Sequence, residues 1–181
     1  LPELEAKKEE WEKVIQSGFD WLHSMIHPDG GIAFFNDSAF GIAPTFENIR
    51  QYIRFLDISI NEGSIASSDE WQSRNFSDSG YVSISRRKIS AHLFLDVGVV
   101  GPYYQPGHAH ADTLSFEFSI FGNRVFVNSG TSMYGNNNER HRQRSTAAHN
   151  TVLVNDENSS EVWAGFRVGR RAEVKNLIIN E

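Results

Sequence analysis

The 181-residue chain carries 17 Lys and Arg against 23 Asp and Glu, a formal net charge of -6, and 39% apolar residues. That balance excludes a primary nucleic-acid binder, which needs a cationic surplus to neutralise phosphates. It leaves room for a locally basic patch and an anionic ligand. There is no cysteine, so disulfides and thiolate metal sites are excluded. Any metal must be held by His, Asp, Glu or Asn.

The N-terminal third reads as helical. Leu4, Trp11, Val14, Ile15, Leu22, Met25 and Ile26 recur at three- and four-residue steps over 3–27, the period of an amphipathic helix. Trp11 and Trp21 belong to its packing face. Pro2 suits the start, and Pro28-Asp29-Gly30-Gly31 the stop. Thr45 is placed to N-cap a second helix near 46–58, with Ile49, Tyr52, Ile53, Leu56 and Ile60 as its apolar stripe. Residues 59–79, polar and rich in Ser, Asn and Asp, read as a linker. From Tyr81 the period becomes two. Strands are predicted at 81–85, 91–100, 113–120, 124–128, 151–155 and 169–179, joined by short turns, which argues for an antiparallel β-sandwich. The fold class is therefore α+β: helices at 1–58, a linker at 59–79 and a sandwich portion at 80–181. No apolar stretch reaches the roughly 18 residues of a membrane span, and no signal peptide is visible. The opening Leu1-Pro2-Glu3 reads as the interior of a longer gene product. Two helices cannot close a core and a partial sandwich leaves strand edges open, so self-association is expected.

The stretch Pro106-Gly107-His108-Ala109-His110-Ala111-Asp112 concentrates the chemistry. In extended backbone, alternate side chains share a face, so His108, His110 and Asp112 project together. They form a metal-binding pair of imidazoles, or a base beside a metal ligand; alternatively they are three polar residues on a solvated strand. His149 precedes a later predicted strand and supplies a further ligand from across the sheet. Asn128 reads first as a turn residue before Ser129-Gly130. Arg140, Arg142 and Arg144, with His141, form a basic segment in an acidic chain. Arg forks bind carboxylate and sulfate bidentately, although a solvated loop explains them equally well. Trp163 with Phe166, or Tyr103 with Tyr104, could stack on sugar rings, but such residues are more often packing.

Five blocks carry a resemblance to one family. Residues 107–117, 121–131 and 144–151 resemble the signature of heparinase II/III-like polysaccharide lyases. Residues 161–171 resemble the strand that follows it, and 36–41 the end of that family's helical domain. The likeness covers about residues 80–175 in order. It implies that 1–58 are the last helices of an (α/α) toroid and that 80–181 begin a β-sandwich domain. It implies β-elimination on a uronic-acid-containing acidic polysaccharide: a base removes the proton beside the carboxylate and an acid protonates the departing oxygen. His108 would act at the carboxylate or leaving group, and Tyr134 near it. His110 and His149 would bind a structural zinc whose third ligand, an Asp in the family, matches Asn128. The neutral amide predicts weak or partial zinc binding. The family's other catalytic residues fall in toroid helices outside this chain, so the chain alone is expected to be inactive. A bacterial periplasmic or secreted setting is implied.

Two other classes stay open. One is a non-catalytic carbohydrate-binding or assembly protein of exopolysaccharide metabolism, which the missing metal Asp favours. The other is a zinc hydrolase, which would need Asp112 as general base.

Overall fold

The computed structural model describes residues 2–61 and 69–179, with side chains from residue 7 onward. Residues 62–68 of the polar stretch and the side chain of Leu4 lie outside the described residues. Among those described, helices α1 (Pro2–Ser24) and α2 (Phe46–Phe55) precede five antiparallel strands. These are β1 (Gln72–Phe76), β2 (Tyr81–Arg86), β3 (Ala91–Asp96), β4 (Phe116–Ile120) and β5 (Asn123–Phe126), each bonded to the next in chain order. A short helix α3 (Asn138–Arg144) and a two-stranded ribbon, β6 (Val162–Trp163) with β7 (Arg167–Val168), complete the chain. No described helix is long and apolar enough to cross a membrane.

The helices start where their caps dictate. Thr45 accepts from the Asn48 N–H at 3.2 Å, the side-chain cap expected at that position. Both end three residues short of the bounds expected from the sequence, 27 and 58. After Ser24 the chain turns through Met25–Gly31, with His27 N donating to Gly31 O at 2.8 Å. After Phe55, Asp57 takes a left-handed φ of 54°. Only the C-terminal part of α1 is packed. Phe19 and Met25 are buried and the Trp21 indole N–H reaches Ser79 Oγ at 2.9 Å, whereas Trp11 and Val14 are exposed.

The sheet reverses the usual allocation of its faces. Ser83, Phe94 and Glu117 are in register across β2, β3 and β4, as are Ser85, His92 and Ser119. This mostly polar face is the buried one, with Phe94, Glu117 and Ser119 fully enclosed. Met25, Ala33 and Phe35 pack on Phe94, flanked by Trp21, Phe76 and Tyr81. The Glu117 carboxylate fixes the covering segment: it accepts from His27 Nε2 at 2.7 Å, from Phe34 N at 2.9 Å and from Asn128 N at 2.8 Å. His27 Nδ1 in turn accepts from the Ser119 hydroxyl at 2.5 Å. These bonds offset the cost of burying the Glu117 carboxylate and the Ser119 hydroxyl. The apolar alternates Leu93, Leu95, Phe116, Phe118 and Ile120 line the opposite, half-buried face.

Several strand expectations need correction. Polar β1 lies inside the stretch read as a linker. β3 ends at Asp96, because Gly80 and Gly98 bring the backbones together there. A Cβ on Gly80 would fall 2.2 Å from Gly98 Cα. Residues 107–112 run as turns and irregular backbone, and β4 begins only at Phe116. Residues 151–155 make one isolated bridge, Val154 to Glu157, around Asn155 and Asp156 at positive φ. Residues 169–179 pair with no strand.

Gly130 bears directly on the site. It has φ 57°, and a Cβ there would stand 2.1 Å from the Ser38 carbonyl oxygen, which itself accepts from Thr131 N at 3.1 Å. Gly130→Ala is therefore expected to cost at least about 1–2 kcal/mol from the left-handed backbone alone, with the clash added. The urea midpoint reads this loss, and an unchanged midpoint would refute it.

Candidate active site

The site assembles around a residue the sequence reading left without a role. Asp37 sits in the turn after Phe35, where Asn36 takes φ 54°. Asn36 is tied to the loop it faces: its N–H donates to Asp112 Oδ2 at 3.3 Å and its Oδ1 accepts from His110 N at 3.1 Å. The Asp37 carboxylate accepts from His108 Nδ1 at 2.8 Å, from His110 Nε2 at 2.8 Å and from Arg140 NH2 at 2.8 Å, with Arg140 NH1 on the same oxygen as His110. Its side chain is only 6% exposed. Burial pushes its pKa up, but the hydrogen bonds from His110, Arg140 and His108 outweigh burial and hold it well below the usual carboxylate range.

The His-Ala-His-Ala-Asp alternation is realised without a strand ladder. The two imidazoles turn to Asp37. The small alanines turn the backbone toward α3, where Arg144 N–H groups donate to Ala109 O at 3.0 Å and the Thr146 hydroxyl donates to Ala111 O at 2.6 Å. His108 is 68% exposed. With Nδ1–H donated to Asp37, its Nε2 is available to solvent. Tyr134, half-exposed, lies edge-on at 5.9 Å between ring centroids. His108 and Tyr134 are thus in ring contact.

His110, Asp112 and His149 form a buried group with one ligand atom from each lying within 4.8 Å of the others. His110 Nδ1 faces His149 Nε2 at 3.2 Å. Two donors on one tetrahedral zinc at about 2.0–2.1 Å stand about 3.3–3.4 Å apart, so the spacing fits a shared cation. His110 directs its other nitrogen at a carboxylate, the usual orienting partner of a metal-bound imidazole. Burial, with the neighbouring His110, lowers the His149 pKa to about 4 against the pull of Asp112. The ring is therefore neutral and able to coordinate near pH 7. Burial first, then the nearby Asp112 charge, pushes Asp96 up to about 7. The residues present fit a divalent metal.

The third ligand is where the expectation changes. Asn128 Oδ1 accepts from Asn150 N at 3.0 Å, so its oxygen is engaged in the backbone beside His149. The carboxylate that lies with His110 and His149 is Asp112, buried among them rather than placed as a base beside His108.

The basic segment also differs from its reading. Asn137 accepts from Arg140 N at 2.9 Å and caps α3, whose three- and four-residue spacing puts Arg140, Gln143 and Arg144 on one buried face. Arg140 holds Asp37 and Gly165 O; Arg144 holds the carbonyls of Ala109, Ala164 and Arg167. Neither guanidinium is exposed to meet substrate. Arg142 is exposed and pairs with Glu139 at 2.7 Å. The segment lacks apolar residues, so no periodicity announced a helix. Its one local signal was Asn137 as a cap.

An α+β chain with an exposed Asp-anchored histidine beside a buried His-Asp-His group is the class defined so far. The family described as heparinase II/III-like, C-terminal, matches residues 68–179, and the chain belongs to that family. A crystal structure of heparinase III superposes with a TM-score of 0.69 at 19% identity, over 93% of this chain and 28% of that one. A second heparinase III gene product gives 0.53 at 19% identity, over 77% of this chain and 24% of its own. Its methylated-lysine form gives 0.53 at 22%. These likenesses establish a shared fold, of which this chain spans less than a third of each relative. No curated relative matches the sequence.

Proposed function

We propose that the chain supplies the sheet-borne half of the active site of a lyase that cleaves a uronic-acid-containing acidic polysaccharide by β-elimination. The observation that carries this is the Asp37–His108 pair. An exposed imidazole whose Nδ1–H is fixed on a buried carboxylate keeps Nε2 aimed outward as a proton donor or acceptor, and the same carboxylate stabilises the ring when it is charged. Tyr134, against the edge of His108, is the second proton-transfer group. One takes the proton beside the uronate carboxyl, and the other protonates the leaving glycosidic oxygen. The electron pair of the broken C–H bond becomes the new C=C bond as the C–O bond parts.

His110, Asp112 and His149 are the residues that would hold a zinc ion, which when bound ties the 107–112 loop to the turn before His149. His110 shares Asp37 with His108, so the metal-side imidazole and the proton-transfer imidazole are positioned by one carboxylate. Asp112, lying with His110 and His149, is the carboxylate that would complete this set. A periplasmic or secreted setting suits a polymeric substrate of this kind.

The test is the conjugated unsaturated uronate formed by elimination, followed by ultraviolet absorbance with heparan sulfate, alginate and hyaluronan. The longer polypeptide carrying this chain is expected to turn over one of these, and His108→Ala to lower the rate by roughly 10²–10⁴-fold. The 181 residues alone should show no turnover. A His108→Ala enzyme with undiminished rate would overturn the assignment.

A further inference from the structure

Phe166 sits at the tip of the β6–β7 hairpin, whose ladder is two residue pairs. A two-stranded ribbon has little stability of its own. Its tip is nevertheless held from below by two fully buried arginines. Arg140 Nε donates to Gly165 O at 3.0 Å, Arg144 NH1 to Ala164 O at 3.1 Å and Arg144 NH2 to Arg167 O at 3.1 Å. The carbonyls on both sides of Phe166 are thus fixed, while Ala164 is kept at φ 48°, a conformation that non-glycine residues adopt only when surroundings enforce it. Gly165 packs backbone to backbone on the turn after Tyr134: a Cβ there would meet Gly135 O at 2.7 Å. The hairpin tip and the Tyr134 turn are therefore one unit.

What this unit presents is an apolar ring in water, next to the proton-transfer group. Phe166 is 45% exposed. Its centroid lies 6.4 Å from that of His108 and 5.5 Å from that of Tyr134. The Arg140 guanidinium carbon is 5.2 Å from the Tyr134 ring and 5.5 Å from the Phe166 ring, so one buried cation anchors both. A core residue would be enclosed, and a loop residue would not be fastened at three carbonyls.

We propose that Phe166, with Tyr134, is a stacking wall that receives the C–H face of a pyranose ring of an acidic saccharide and sets that ring over His108. The face of a pyranose formed by its axial C–H bonds is apolar and weakly positive, complementary to the negative face of an aromatic ring. This inference rests on the reading of His108 as the proton-transfer group of a saccharide-cleaving site.

The test titrates tetrasaccharides of heparan sulfate, alginate and hyaluronan into the longer polypeptide carrying this chain, with His108→Ala to halt turnover, followed by NMR, for this parent and for Phe166→Leu, Phe166→Trp and Phe166→Ala in the same background. Leu keeps an apolar plug for the hairpin without a π face, so it decides the case even if the Ala variant fails to fold. The Leu variant is expected to bind roughly two- to twelvefold more weakly, the range of an aromatic contact, and the Trp variant within about twofold of the parent. Saturation transferred from aromatic protons to the sugar should fall in the Leu variant and persist with Trp. The parent's affinity in the Leu variant would overturn the stacking wall while leaving the His108 reading intact. No binding of any of the three by the parent would overturn both.

Discussion

Asp37→Asn is expected to destabilise the chain by roughly 3–5 kcal/mol, the cost of removing one partner from a buried ion pair. At roughly 2–4 °C per kcal/mol for a chain of this size, the melting midpoint should fall by roughly 6–20 °C. The argument is one of satisfaction rather than of attraction. The Arg140 side chain is completely enclosed, and Asp37 is its carboxylate partner. Asn replaces an anion with four acceptor sites by one carbonyl and an NH2 group that points at donors. His110 and His108 lose an acceptor as well, so the 107–112 loop loosens along with the turn at 36–38. The pH dependence has a definite sign. The folded pKa of Asp37 lies below its unfolded value, so its stabilisation is complete above the unfolded carboxylate range. It is lost as pH falls through the lower folded value. Wild-type stability should therefore decline in acid, and the Asn variant should lack that component. Calorimetry from pH 7 down to the acid limit of folding checks both. A midpoint within 2–3 °C of wild type, about 1 kcal/mol by the same conversion, would show that Asp37 does not hold the site together.

How far the sequence revealed this arrangement follows from what each signal measures. Periodicity and caps report local backbone preference, and they located β2 closely and the starts of α1 and α2. Thr45 worked as a cap because capping needs only its own turn. The same logic fails where tertiary contacts decide. The row Ser115, Glu117 and Ser119 reads as the solvent side of a strand, yet all three are fully buried; His27, Phe34 N and Asn128 N supply partners for Glu117, and His27 for Ser119. β1 has no apolar alternation and forms because β2 offers it an edge. His108, His110 and His149 were legible because paired imidazoles at alternate positions are rarely idle. Asp37 was not: an Asn-Asp-Ser turn is ordinary punctuation, and its partners lie 71 to 103 residues away. The place of Asp112 beside His149 was not legible either, because 37 residues separate the two and only the fold brings them together. The arginines were misread because a guanidinium enclosed by backbone carbonyls and one exposed to solvent look alike in a sequence.

The largest binding effect is expected at the His-Asp-His group. Zinc titrated calorimetrically into the 181-residue chain should bind with a stoichiometry near one. His149→Ala and Asp112→Asn should each weaken it by at least about 100-fold, since losing a direct ligand costs no less than the 10–100-fold that outer partners cost. The reasoning compares two ligand sets. If Asn128 completed the site, the set would be two imidazoles and a neutral amide. Asn128→Asp would then raise affinity at least about tenfold, and Asp112→Asn would do nothing. The structure argues otherwise: Asn128 Oδ1 already accepts from Asn150 N, whereas Asp112 stands with His110 and His149 inside a 4.8 Å cluster. Two neutral imidazoles with one carboxylate cancel one of the two charges of a divalent ion, whereas two imidazoles with a neutral amide cancel none. Ring protons of His149 should shift on zinc addition and revert with chelator, a readout independent of turnover. Affinity lost in Asp112→Asn and unchanged or lowered in Asn128→Asp identifies Asp112 as the third ligand; the opposite pattern restores Asn128.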